Sequence, residues 1–323
     1  MASIVEQCEV APPSCATDKL TLPLTYLDMV CNDHPRNAKD IYHFVPPLTE
    51  PKDVLGVQFA PVLAIQVTLF PNHGISICFV THHIVGDEST IVGFIKSWAS
   101  LNKYGGNDEF MMIPFYDRSI VKEPYGLKGL QWDDMKKHKS SADHVILTPP
   151  DNIVREDTDT DIIIDDNVME YFSCTVDYRA RFDPPLPSSY FGNCIVWYIV
   201  KTRHVDLVGN EGFIIAAESI GETIHKRNKD KEYVLSGEWL DEDDHLFKFL
   251  SVAGSPKFDL YATDFGWGRP EKWEFVSLQT GILMTLGKSK DSNGDLEIGL
   301  SLPKTQMNAF ATIFTHGLEE IKI

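Results

Sequence analysis

The chain has 323 residues, 43% hydrophobic and 11% aromatic, with a formal charge of −18. That length can bury a large core and normally divides into two domains, and the composition excludes a disordered chain. The acidic balance argues against nucleic acid or an anionic membrane as partner, because phosphate binding needs a basic face. Six cysteines (Cys8, Cys15, Cys31, Cys78, Cys174, Cys194) form no C-x-x-C pair and read as free thiols of a reducing compartment. The N-terminus lacks the basic and apolar regions of a signal peptide. No apolar run approaches the ~20 residues that span a bilayer, so a soluble, cytoplasmic protein is expected.

In chain order, a first strand is expected around Ile4 to Val10, followed by a turn at Pro12-Pro13. Residues 32–53, rich in Pro, Asp and Asn, read as a connecting loop. Ala60 to Phe70 alternates as a strand, Pro71 to Gly74 turns, and Ile75 to His83 returns as its partner, a hairpin that delivers His83. Ile91, Phe94, Ile95 and Trp98 recur at helical spacing, with Asp87 and Glu88 suited to a first turn. Residues 104–143 are loop-like, and the Lys136-Lys137-His138-Lys139 run reads as a solvated face. Residues 151–167 form an acidic run that separates two better-patterned halves. The expected partition is therefore residues 1–150, an acidic linker at 151–167, and residues 168–323.

The second half starts with strands at Met169 to Asp177 and Cys194 to Lys201. Helical periodicity follows at Asn210 to Arg227 and again at Glu238 to Val252. Short strands are expected at Phe258 to Tyr261 and Lys272 to Leu278. Ile282 to Gly287 pairs with Leu296 to Leu302 through Asp291-Ser-Asn-Gly294. A last helix starts at Pro303, a favoured first helical position. Strands and helices interleave without a regular βαβ rhythm, which predicts an α/β protein with mixed sheets.

Three stretches carry chemistry. In His83-Ile84-Val85-Gly86-Asp87, a histidine at a strand mouth sits on rigid backbone and can reach a pocket, the geometry of a general base. Metal binding and an ordinary polar strand end are the competing readings. No Cys or Glu cluster completes a ligand set, and adjacent histidines on a strand point to opposite faces, so no metal is expected. Tyr190-Phe191-Gly192-Asn193-Cys194 could be a simple turn into a strand. Asp264-Phe265-Gly266-Trp267-Gly268 is a tight aromatic corner that could serve only to brace the structure. Gly281 to Ser289 has one residue too many between its glycines for a phosphate loop, and its filling is strand-like. No G-x-S-x-G elbow is present.

Together these stretches resemble the H-x-x-x-D, Y-F-G-N-C and D-F-G-W-G motifs of the plant BAHD acyl-CoA-dependent acyltransferases, on the anthocyanin and flavonoid glucoside branch. The resemblance implies two chloramphenicol-acetyltransferase-like α/β domains with a channel between them. It implies an O-acyltransferase that moves a malonyl or hydroxycinnamoyl group from acyl-CoA to a hydroxyl of a phenolic glucoside. His83 would be the general base, and no covalent acyl-enzyme would form. Asp87 would pair with an arginine, Arg179 or Arg181, in a structural role. Asp264, Gly266, Trp267 and Gly268 would support the site, and His82 would have no chemical task. Acyl-CoA is the implied co-substrate, with no bound cofactor, and a monomer is expected.

The chain departs from the family pattern in two ways. By comparison with the family pattern, material is missing between Cys31 and Asn32 and between about Arg155 and Asp166, so a catalytically impaired or purely binding relative is the alternative. Ile91 also stands where malonyl-using relatives place an arginine, which favours a neutral acyl donor. An amide-forming condensation enzyme is a weaker option.

Overall fold

The computed structural model describes residues 2–9, 21–22, 41–48, 52–55, 57–105, 112–121, 168–229, 249–276, 282–290 and 294–321. Contacts divide the chain into two compact units. The first comprises Met1–Pro149, Asp177–Ile195 and Lys257–Leu278; the second comprises Pro150–Val176, Val196–Pro256 and Gln279–Ile323. The linear partition expected from sequence therefore differs from the grouping of contacts: the Y-F-G-N-C and D-F-G-W-G stretches belong with the first unit. Both stretches are fastened to the helix that follows His83. The acidic run at 151–167 lies outside the described residues.

In the first unit, strands β1 (Ala2–Glu9), β2 (Thr21–Leu22), β5 (Leu63–Phe70) and β6 (Gly74–Thr81) form a sheet in the order β2-β1-β5-β6. Its described ladders are antiparallel. A small hairpin, β3 (Lys52–Val54) and β4 (Val57–Phe59), forms a separate two-stranded sheet. The β5–β6 hairpin forms as expected, but Gly74, expected in the turn, already belongs to β6, and the register runs from Leu63 opposite Thr81 to Phe70 opposite Gly74.

One face of that hairpin is partly covered and the other is buried. On one, Phe79 meets the edge of Trp98 at 5.9 Å. On the other, Gln66, Thr68, Phe70 and Val80 are buried. There Phe70 packs on Phe44 at 5.8 Å, and Val80 joins Val45 and Leu48 in one apolar cluster. Gln66 is tolerated inside because its Nε2 donates to His43 O at 2.9 Å, which meets the hydrogen-bonding demand of a buried amide.

β6 stops at Thr81, two residues short of the expected end. Its partner β5 begins at Leu63, and the last available acceptor is Val62 O, which takes the N–H of His82 at 2.9 Å. With no partner left, the chain turns, and Val85 N donates back to His82 O at 3.0 Å. His83 therefore sits in a turn rather than on the strand. Helix α1 (Glu88–Tyr104) follows, capped by Asp87 and closed by Gly105 with φ 66°. Val92, Ile95 and Ala99 form its buried stripe.

The second unit carries a mixed sheet in the order β11-β10-β9-β7-β8. Its strands are β7 (Met169–Asp177), β8 (Ile195–Arg203), β9 (Phe249–Ala253), β10 (Ile282–Lys288) and β11 (Leu296–Leu300). β9 is parallel to both β7 and β10, whereas β10 and β11 are antiparallel. The helices are α2 (His204–Val208), α3 (Gly212–Lys229) and α4 (Lys304–Ile321). Tyr198 of β8 is fully buried, and its hydroxyl donates to Asn228 of α3 at 3.0 Å.

Three expectations fail here. The described end of the helix expected over 238–252 is strand β9, because an apolar run of that length is ambiguous and two parallel neighbours decide it. Residues 256–258 and 260–262 are short 3-10 turns, not a strand. Residues 272–276 carry no regular structure.

Candidate active site

Asp87 and Arg179 form the centre of the site, and both are buried, 2% and 3% exposed. Arg179 Nη2 donates to Asp87 Oδ1 and Nη1 donates to Oδ2, each at 2.9 Å. This is the two-pronged geometry that makes arginine–carboxylate pairs strong and orientation-specific. Of the two arginines considered from sequence, Arg179 is thus the partner. Arg181 is exposed and donates from Nη1 to Asp177 O at 2.7 Å. Burial opposes the Arg179 charge, but Asp87 and Asp177 outweigh it, and the guanidinium pKa sits above its ordinary value.

The remaining capacity of Asp87 is also used. Thr90 N donates to Oδ1 at 3.1 Å, as expected for a helix cap, and Cys194 N donates to Oδ2 at 2.8 Å. Four donors fill the roughly four lone-pair sites of a carboxylate. None is left to orient His83, so Asp87 is not the third member of a proton relay.

Arg179 extends this clasp to the Y-F-G-N-C stretch. Its Nη2 lies within hydrogen-bonding distance of Tyr190 O at 3.2 Å and Gly192 O at 2.9 Å. Thr90 Oγ1 donates to Gly192 O at 2.9 Å and accepts from Gly192 N at 3.2 Å. Asn193 Nδ2 donates to His83 O at 2.8 Å. A neighbouring strip supports the stretch from outside: Phe115 N donates to Ser189 O at 2.8 Å, and Phe191 N donates to Phe115 O at 2.9 Å.

Gly86 completes the packing. A Cβ there would lie 2.6 Å from Thr90 Cγ2, and Thr90 cannot yield without losing its bonds to Gly192. The motif therefore needs glycine before the aspartate for space.

The D-F-G-W-G corner docks on the far end of α1. Lys103 Nζ donates to Asp264 Oδ2 at 2.8 Å, and Asn102 Nδ2 donates to Phe265 O at 2.7 Å. Asp264 Oδ1 accepts from Gly266 N at 2.7 Å and Gly268 N at 3.1 Å, a loop that requires Gly266 at φ +96°. The Phe265 ring meets Trp98 edge-on at 5.2 Å and stacks with Trp267 at 5.8 Å. Lys96 Nζ also donates to Phe258 O.

His83 itself is exposed, as is His82. His82 is not idle, because its Nδ1 accepts from Ile84 N at 3.1 Å. Among the described residues no group of three His, Cys, Asp or Glu side chains could hold a metal ion. Cys194 is buried beside the clasp. Burial first, then Asp177 and Asp87 against the opposing Arg179, pushes its thiol to about 11. A thiol held protonated is inert as a nucleophile.

Sequence reading missed Thr90, Asn102 and Lys103, and named Asn193 only as part of the Y-F-G-N-C stretch. Thr90 stands three residues past a capping aspartate, and Lys103 is a cation in a last turn, so each carries a local signal. Their partners lie about a hundred or more residues away, where no local signal reaches.

A family model described as the Transferase family matches residues 35–169 and 156–316. A protein of Nicotiana tabacum named phenolic glucoside malonyltransferase 1 is 53% identical over 335 residues, spanning 88% of this chain and 74% of that protein. This chain belongs to the Transferase family, on its plant BAHD acyltransferase branch. A Salvia splendens protein named malonyl-coenzyme:anthocyanin 5-O-glucoside-6'''-O-malonyltransferase is 32% identical over 89% of this chain and 71% of its own length. The crystal structure of vinorine synthase shares the fold of this family member, with a TM-score of 0.53 over 84% of this chain and 69% of that one, at 15% identity. The alignment with the tobacco protein is longer than the 323-residue chain while using only 88% of it. That relative therefore carries internal residues with no counterpart here.

Two predictions follow from the clasp and the corner. Asp87→Ala leaves the buried guanidinium with only the half-exposed Asp177 as counter-charge and should cost about 3–5 kcal/mol of stability, whereas Arg181→Gln should change it by less than about 0.5 kcal/mol; urea denaturation of both variants measures the contrast. The Asp264 carboxyl is held below its ordinary value of 3.8, first by Lys103 and then by the Gly266 N–H. A depressed acid stabilises the fold above its unfolded pKa and loses that contribution as pH falls through the folded one. The corner should therefore loosen below about pH 4, seen as a fall in the protection of residues 264–268 relative to their intrinsic exchange rate at each pH, and Asp264→Asn should remove that pH dependence.

Proposed function

We propose that this protein transfers an acyl group, with malonyl the leading choice, from acyl-CoA to a hydroxyl of a phenolic glucoside, with His83 as general base. The observation that carries this reading is 53% identity to a protein named for that reaction, spanning 88% of this chain, together with an intact H-x-x-x-D turn clasped by Arg179. The His83 imidazole takes the proton of the acceptor hydroxyl as its oxygen attacks the thioester carbonyl carbon. The tetrahedral oxyanion collapses, the carbon–sulfur bond breaks, and the CoA thiolate recovers the proton from the imidazolium. No acyl-enzyme step is needed, and the protonated, buried Cys194 offers no nucleophile for one. Asp87, saturated by four donors, holds the turn and stays out of the proton path.

Ile91 argues for a neutral donor, because a malonyl carboxylate taken out of water needs a counter-charge. Against it stand several relatives named as malonyltransferases, of 29% to 53% identity. We give the whole-chain similarity more weight than one aligned position.

The test is CoA release and ester formation with malonyl-CoA or coumaroyl-CoA and a phenolic glucoside. Malonyl-CoA should win in direct competition; a preference for coumaroyl-CoA would reinstate the Ile91 argument. His83→Ala should lower turnover by about 10²–10⁴-fold, and undiminished transfer would remove His83 from the mechanism.

A further inference from the structure

The turn that carries His83 is fixed at nearly every peptide group. His82 N donates to Val62 O, Val85 N donates to His82 O, and Ile84 N donates to the His82 ring. The carbonyl of His83 itself is taken from outside the turn, by Asn193 Nδ2 at 2.8 Å. Asn193 is exposed, so this amide is not needed to rescue a buried polar group.

Its neighbours explain why it can act at a distance of 110 residues in sequence. Gly192 is bonded through both N and O to Thr90, and Cys194 N is bonded to Asp87. Three consecutive residues thus contact Thr90, His83 and Asp87 in turn. The backbone on either side of Asn193 is tied to the buried clasp, so its side chain starts from a fixed point beside the His83 carbonyl. A rigid arm built on an ion pair holds the peptide from which the imidazole projects.

We propose that Asn193 is a positioning residue for His83: its amide sets the plane of the His83 carbonyl and so aims the ring at the reacting hydroxyl. The inference rests on His83 being the base. A displacement of about 1 Å at a reacting group can cost 10²-fold in rate, so a surface amide can matter to catalysis while hardly mattering to folding. A donor is required. An aspartate of the same shape would bring a carboxylate against the His83 carbonyl and repel it.

The experiment is a kinetic set on the full chain: Asn193→Ala, Asn193→Asp, His83→Ala, and the His83→Ala/Asn193→Ala double variant. Both Asn193 variants should lose about 10- to 100-fold in kcat, with KM for acyl-CoA and for the glucoside within about twofold and the urea midpoint unchanged. On the His83→Ala background, removing Asn193 should cost nothing further, because no base remains to be aimed. Wild-type kcat in Asn193→Asp would overturn the proposal while leaving the acyltransferase reading intact. So would an equal loss on the His83→Ala background, or a loss that follows KM or the urea midpoint. A fully active His83→Ala enzyme would defeat both the proposal and the reading beneath it.

Discussion

The pairing of Asp87 with Arg179 is the interaction on which the site depends. Neither charge can be stable in a dry interior alone, and removing one strands the other. Here the carboxylate receives two guanidinium N–H groups, the helix-capping N–H of Thr90 and the N–H of Cys194. The guanidinium also donates from Nη1 to Asp177 Oδ1, and its Nη2 lies within hydrogen-bonding distance of Thr90 Oγ1 and of the carbonyls of Tyr190 and Gly192. Such a pair contributes little as net attraction, since desolvation offsets most of the Coulomb gain. Its value is directional: it admits one arrangement of three chain segments, one of them the turn that carries His83.

Helix α1 turns that local arrangement into a longer frame. Its first turn contains the capping aspartate and Thr90, and its last turn contains Asn102 and Lys103, which hold the D-F-G-W-G corner. Motifs far apart in the sequence thus meet opposite ends of one helix. Trp98, between them, touches both Phe79 of the sheet and Phe265 of the corner. Asp264 spends its oxygens on Lys103 and two glycine N–H groups, and Trp267 is 68% exposed. The corner braces the helix.

The sequence made the hairpin legible because alternation and the Asn-His-Gly turn are local properties. The strand at Met169 to Asp177 and the helix after Asp87 were legible for the same reason. The strand end was misplaced because it depends on where β5 runs out of acceptors, a fact about the partner. The helical reading of 238–252 failed where two neighbouring strands claimed Phe249 to Ala253. At the site, the motif residues were visible as a resemblance, and Arg179 was one of two candidates. Arg179 over Arg181 was decided only by tertiary geometry, since both flank the same short turn. The bonds from Asn193 to His83 and from Thr90 to Gly192 have no sequence signature, being made across about a hundred intervening residues.

The most direct measure of the central claim is native-state hydrogen exchange, read by mass spectrometry on peptides covering residues 87–92 and 190–196. If the clasp is a permanent buried unit, the amides of Thr90, Gly192 and Cys194 exchange only when the first unit unfolds, and their protection falls in step with added urea. Exchange of those amides through a local opening insensitive to urea would contradict the account. The base would then be carried by a loop that opens on its own, without a fixed frame.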